Sequence, residues 1–235
     1  MLENLVHWLS RPIIGLYGRM LKLDVYRHVQ LPKGPKIIVA NHPSTSDPFL
    51  IALVTRVPAR MLIIDHAFAV PLFGAYLRKS GHIPVVPGAG RIAFDTALEH
   101  VTSGGTLIVF PEGQLSPREG GFQEPRTGAA RLALMTGAPV IPMGISLSPK
   151  GLWHMESEIG AQWVTSRWAL HGPYGVTVGN PLHFGGDVED RSHVTGVATR
   201  IMYHIKELAY ESQERLQAPL LWPAILGAYP SVSQL

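Results

Sequence analysis

Residues Asn41 to Leu50 read NHPSTSDPFL and follow directly on an apolar run, KIIVA, at Lys36 to Ala40. A histidine and an aspartate five positions apart in a polar loop can work as a pair. The carboxylate holds one imidazole nitrogen and fixes the tautomer, so that the other nitrogen can take a proton from a hydroxyl. Such a dyad, His42 with Asp47, suits acyl transfer to an alcohol with no covalent enzyme intermediate. A plainer explanation covers Asp47 alone, since an aspartate just before Pro48 can cap the helix that the proline begins. It leaves His42 unexplained. A second loop, Phe110 to Gly121, reads FPEGQLSPREGG. Here Pro111 and Gly113 turn the chain around Glu112, with Ser116 and Arg118 close by. That makes either a polar pocket for a hydroxyl or phosphate, or a strand-to-helix connection built from turn formers.

Both loops follow short apolar runs rich in β-branched residues, and such runs recur at Leu23 to Val29, Lys36 to Ala40, Arg60 to Ile64, His82 to Val86, Thr106 to Phe110, Val140 to Ile145 and Tyr174 to Val178. Helical segments are expected between them at Pro48 to Leu53, Val70 to Lys79, Arg91 to Thr102 and Thr127 to Met135, with a last helix near Ser192 to Leu216. Strands alternating with helices of this length predict an α/β fold: a single domain whose mixed, mostly parallel sheet is flanked by helices. Both candidate loops then leave the sheet at its carboxyl edge, where open α/β folds place their ligands. Ser148 to Pro173, with Trp153, Trp163 and Trp168 among polar residues, is expected as a loop, a lid or an irregular excursion.

The ends differ from the middle. On a helix over residues 2 to 22, Leu2, Leu5, Val6, Leu9, Ile13, Leu16 and Met20 gather on one side, and Glu3, His7, Arg11, Arg19 and Lys22 fall opposite. Pro12 predicts a kink or a short helical pair, with Ser10 capping the second member. The stripe fits a helix lying in a membrane interface, or one packed on the domain. The final segment, APLLWPAILGAYP, is too short to cross a bilayer and suits a lipid contact or a tail over the core. The expected division is 1–22 amphipathic interface helix, 23–217 main domain and 218–235 apolar tail.

With 46% hydrophobic and 16% charged residues, the chain is oilier than an ordinary soluble domain. A formal charge of +3, with the basic residues scattered, favours a phosphate or anionic lipid partner over nucleic acid. The sequence contains no cysteine, which excludes disulfides and thiolate chemistry. The histidines do not fall at metal-ligand spacing, so no metal is expected. MLENLVHWLS does not read as a secretory signal, and the expected location is the cytoplasmic face of a membrane, bound peripherally.

Taken together, four blocks of sequence resemble the glycerolipid acyltransferase family typified by 1-acyl-glycerol-3-phosphate acyltransferases. NHPSTSD matches its H-x4-D motif through His42 and Asp47, and GHIPVVP its second block through Gly81, Ile83 and Val85. FPEGQLS matches the third through Phe110, Pro111, Glu112, Gly113 and Ser116, and VIPMGI the fourth through Val140, Pro142 and Ile145. The resemblance implies that His42 is the general base and Asp47 its orienting partner, with Glu112 and Gly113 in the pocket of a lysolipid acceptor. It implies an acyl thioester on coenzyme A or acyl carrier protein as co-substrate, and no cofactor. Two arginines usual in the family are absent, their places taken by Pro87 and Leu115. Arg91, Arg118 and Arg126 are the nearby candidates to grip an acceptor phosphate in their stead. A phosphate-free lipid or glycolipid acceptor, a non-catalytic lipid-binding role and hydrolysis remain as alternatives.

Overall fold

The KIIVA run is buried along its whole length, and its side chains divide between two cores: Ile37 and Val39 in one, Ile38 and Ala40 in the other. A strand covered on both faces requires helices on both sides of its sheet. The computed structural model describes residues 2–159 and 162–217, so the expected apolar tail, 218–235, lies outside the described residues.

The elements run α1 (Leu2–Met20), β1 (Leu23–Arg27), β2 (Lys36–Ala40), α2 (Asp47–Thr55), β3 (Arg60–Ile64), α3 (Phe73–Lys79), β4 (Ile83–Val85), α4 (Gly90–Thr102), β5 (Thr106–Val109), α5 (Gly128–Thr136), β6 (Val140–Leu147), β7 (Leu152–Ile159), β8 (Gln162–Ala169), β9 (Tyr174–Val178) and α6 (Arg191–Gln217). Seven strands form one sheet in the order β1-β9-β6-β2-β5-β3-β4. β6, β2, β5, β3 and β4 are parallel neighbours, while β9 runs antiparallel to β6 and carries β1 parallel to itself. The expected mixed, mostly parallel α/β sheet is therefore present. Ile38 pairs with Ile108 and Ile141 at its centre. α4, α5 and α6 cover one face through Ala97, Ala130 and Ile201, and α2 covers the other through Leu50, Ile51 and Val54.

Because β2 and β5 are adjacent and parallel, the loops that leave them emerge side by side. Asn41 extends the pairing one residue beyond β2 by side chain: its Nδ2 donates to the Ile145 carbonyl at 2.9 Å, and its Oδ1 accepts from the Ile145 amide at 2.7 Å. This fixes where the histidine loop starts.

Three expectations need correction. Ser148 to Pro173 is largely a two-stranded antiparallel sheet, β7 with β8, in which Trp153 pairs with Trp168. The α1 helix runs unbroken through Pro12, and Ser10 Oγ donates to the His7 carbonyl instead of capping a second helix. A proline removes one ladder bond, and the turns on either side hold the helix together. Finally, the residue before α2 is Ser46, and Asp47, the helix's first residue, makes no forward capping bond.

The stripe on α1 points outward. Leu9, Ile13 and Leu16 are 66%, 75% and 68% exposed, whereas Gly18 and Leu21 are buried and His7, Ser10, Arg11 and Tyr17 are half-buried against the domain. Packing on the domain is thus excluded for the apolar face. Among the described residues no helix is long and apolar enough to cross a membrane.

α6 crosses β6 at Gly144, where an added Cβ would lie 2.0 Å from the Ala209 nitrogen and 2.1 Å from the Leu208 carbonyl carbon. Backbone cannot swing aside as a side chain can. Gly144→Ala should therefore cost about 3 kcal/mol, the upper end of ordinary overpacking; a denaturant midpoint equal to that of the parent would disprove this close approach.

Candidate active site

His42 leaves the sheet edge between β2 and α2, and its Nδ1 lies 2.9 Å from Asp47 Oδ2. The side chains are 18% and 0% exposed. Asp47 is bound from four directions. Oδ2 also accepts from the Ser44 amide at 2.8 Å, and Oδ1 accepts from the Ser44 hydroxyl and from the Tyr174 hydroxyl, the latter at 2.7 Å. Four donors on two oxygens suit a carboxylate, which accepts only, and with a carboxylate there the Nδ1 contact favours the tautomer that leaves the Nε2 lone pair for a substrate. Tyr174 is wholly buried; burial first, then the charge of Asp47, pushes its phenol well above the ordinary range and keeps it a donor.

The FPEG loop supports the histidine from below. The Phe110 ring stacks on the imidazole with centroids 4.2 Å apart and planes 19° from parallel. Glu112 is buried, and both its oxygens face protein donors. Oε1 accepts from the His42 amide at 2.9 Å and from Ser116 Oγ at 2.7 Å, and Oε2 accepts from the Gln123 amide at 2.7 Å. The Ser116 amide in turn donates to the His42 carbonyl at 2.8 Å. Glu112 and Ser116 therefore brace the two loops against each other. Gly113 holds φ +68°, and a Cβ there would meet Arg126 Nε at 2.5 Å. Only glycine allows the arginine to lie across this turn.

The candidate arginines separate. Arg126 lies over Gly113, its amide donating to the Pro111 carbonyl at 2.8 Å. Arg118 is exposed on the same loop, close enough for its charge to act on Arg167. Arg91 is in the first turn of α4, 85% exposed and paired with Asp95 one turn along its own helix.

Arg167, Tyr174, Ser44 and Tyr17 carry no motif that would single them out in sequence. Arg167 on β8 is buried and donates to the carbonyls of Ser116 and Pro117. Its amide donates to Thr45 Oγ1 at 2.9 Å, and its carbonyl accepts from the Thr45 amide at 2.7 Å. One residue thus ties the β7–β8 hairpin to both loops. Burial lowers its pKa, and the charges of Asp47 and Glu112 oppose that shift. Tyr17 of α1 donates to the Ala169 carbonyl at 2.5 Å and meets Ser46 Oγ at 2.6 Å. Among the described residues no three His, Asp or Glu side chains group as a metal site.

A mixed, mostly parallel α/β sheet thus carries the His42–Asp47 pair at the carboxyl edge of its parallel strands, braced by the F-P-E-G turn. The chain belongs to the acyltransferase family, whose model matches residues 22–146. A 1-acyl-sn-glycerol-3-phosphate acyltransferase of Saccharomyces cerevisiae is 30% identical over 161 residues, covering 63% of this chain and 53% of the yeast protein. The chain thus matches about half the length of that relative. The crystal structure of the 1-acyl-sn-glycerophosphate (LPA) acyltransferase PlsC from Thermotoga maritima has a similar fold, with a TM-score of 0.63 at 22% identity over 91% of this chain and 82% of that one.

Tyr174→Phe removes one donor from the buried carboxylate and nothing else. Hydrogen bonds to charged groups are worth about 1.5–3 kcal/mol, and the unfolding free energy should fall by that amount. An unchanged value in urea denaturation would show that the phenol does not hold Asp47.

Proposed function

We propose that the chain is a peripheral membrane O-acyltransferase that moves a fatty acyl group from a thioester to a lysolipid hydroxyl, most specifically that of 1-acyl-glycerol-3-phosphate. The observation that carries this is the contact of His42 Nδ1 with buried Asp47 at 2.9 Å, on an imidazole that keeps 18% exposure. The activity named for the yeast relative supports the choice of acceptor.

In the reaction, Nε2 takes the proton of the acceptor hydroxyl at about 3 Å as its oxygen attacks the thioester carbonyl carbon. The C=O π pair moves onto oxygen, giving a tetrahedral oxyanion. When the C–O π bond re-forms, the C–S bond breaks and the imidazolium returns its proton to the departing thiolate. The buried Asp47 carboxylate stabilises the imidazolium between the two proton transfers. Coenzyme A or acyl carrier protein carries the thiol, and the chain needs no cofactor of its own. Glu112, Ser116 and Gly113 hold the loop geometry, while Arg126 and Arg118 meet the acceptor phosphate. Arg91, in the first turn of α4 and paired with Asp95, is the third candidate for that phosphate.

The membrane part of the proposal rests on α1, the 1–22 segment, whose apolar face is exposed while its polar side meets the domain, 23–217. Solvent is a costly neighbour for a continuous apolar stripe, and the headgroup–acyl boundary is a favourable one. The site opens, on this proposal, toward the cytoplasmic face. A phosphate-free acceptor is favoured by one observation, the replacement of the usual arginines by Pro87 and Leu115.

Products of the purified chain with mixed acyl thioesters and lysolipids, with and without a headgroup phosphate, should be identified by mass spectrometry. Acylated phosphate-bearing acceptor is expected, and His42→Ala should slow its formation by about 10²–10⁴-fold with the fold intact. Free fatty acid without acylated acceptor would mean hydrolysis, and no thiol release would mean a lipid binder. Acylation confined to phosphate-free acceptors would move the acceptor class.

A further inference from the structure

A cavity of about 520 Å³ opens at the opposite edge of the sheet from His42, where β2, β3 and β5 begin at Lys36, Arg60 and Thr106. One strand length, about 15 Å, separates the two edges. The cavity is walled by α1 and by the loops around Lys33 and Gly104. It lies within the ordinary size of a ligand site, roughly 300–1,000 Å³.

The described lining is basic: His7, Arg11, Lys33 and Lys36 contribute to it, and no aspartate or glutamate is among the described lining residues. His7 and Arg11 are one turn apart on the side of α1 that faces the domain. His7 Nε2, Arg11 Nη1 and Ser80 Oγ are each buried without a hydrogen-bond partner among the described residues. Buried donors left open cost about 1–3 kcal/mol each, more when charged, and mark a place where a ligand completes the structure. Burial, with the charge of Arg11, presses the pKa of His7 down, and burial presses down that of Lys36.

We propose that this cavity is a binding site for a phosphate group, distinct from the acyl-transfer site and not dependent on that assignment. Guanidinium, ammonium and hydroxyl donors converging from α1, β2 and the end of α3 match an anion with several acceptor oxygens. Ile14, Leu53 and Val57 add an apolar wall, which suits a phosphate carried on an amphiphile. The outer face of α1 exposes Leu9 and Ile13, so a membrane bound there brings anionic headgroups beside the exposed Lys33.

Titration calorimetry of the full chain with inorganic phosphate and with dioctanoyl phosphatidate, against dioctanoyl phosphatidylcholine as a zwitterionic control, tests the site. Binding of a phosphate probe is expected, weakened roughly tenfold or more by Arg11→Gln, largely retained by Arg11→Lys and untouched by Arg91→Gln. Tighter binding of phosphatidate than of inorganic phosphate identifies a lipid headgroup as the source; equal affinity identifies the free anion. Absence of binding overturns the proposal, as does equal affinity in Arg11→Gln. Loss in Arg126→Gln but not in Arg11→Gln would assign the ligand to the other edge and overturn it too. Should Arg11→Gln fail to fold, Lys33→Gln at the rim must weaken binding, and unchanged affinity there is equally fatal.

Discussion

A carboxylate with no solvent contact, Asp47, sits where the histidine loop, α2 and β9 converge. Burying such a charge alone costs several kcal/mol, and it is tolerable only because hydrogen-bond donors surround it. Those donors come from His42 and Ser44 in the loop and from Tyr174 at the start of β9. The loop therefore reaches its final form only with β9 in place. Once it has, the imidazole cannot turn, because rotating it would strip a donor from a buried charge. The rigidity of the imidazole is thus a consequence of electrostatics in the core.

The remaining ties keep that arrangement from slipping. Asn41 pins the loop's first residue to β6, Glu112 joins the backbone of His42 to the FPEG loop, and Arg167 fastens both loops to the β7–β8 hairpin. Tyr17 joins α1 to the same loop through Ser46. The helix that exposes its apolar stripe is therefore in hydrogen-bond contact with the residue before Asp47. The exposed stripe and the site geometry are thus linked by one connected set of bonds, made from the inner side of α1 through Tyr17.

The sheet was legible in sequence because burial on both faces demands continuous β-branched runs, and KIIVA, TLIV and VIPMGI are such runs. The His42–Asp47 pair was legible because both members lie in one short loop. Tyr174 was not, since it reaches Asp47 from 127 positions away and no local period encodes that contact. The β7–β8 hairpin escaped because it stands as a separate two-stranded sheet whose first strand, β7, mixes exposed and partly buried residues, so that its composition resembles a surface loop. The direction of the α1 stripe escaped for another reason: helical spacing reveals that a stripe exists, but which side meets the domain is decided by tertiary partners such as Gly18 and Tyr17. Arg91 and Arg126 looked equivalent along the chain and are not equivalent in space.

The central claim is that Asp47 fixes the His42 tautomer. Nitrogen-15 NMR of the labelled imidazole, at a pH where the ring is neutral, reads that directly. A protonated Nδ1 and an unprotonated Nε2 are predicted, with this preference lost in Asp47→Asn. A proton on Nε2 in the parent chain, or the same tautomer ratio in the variant, would contradict it.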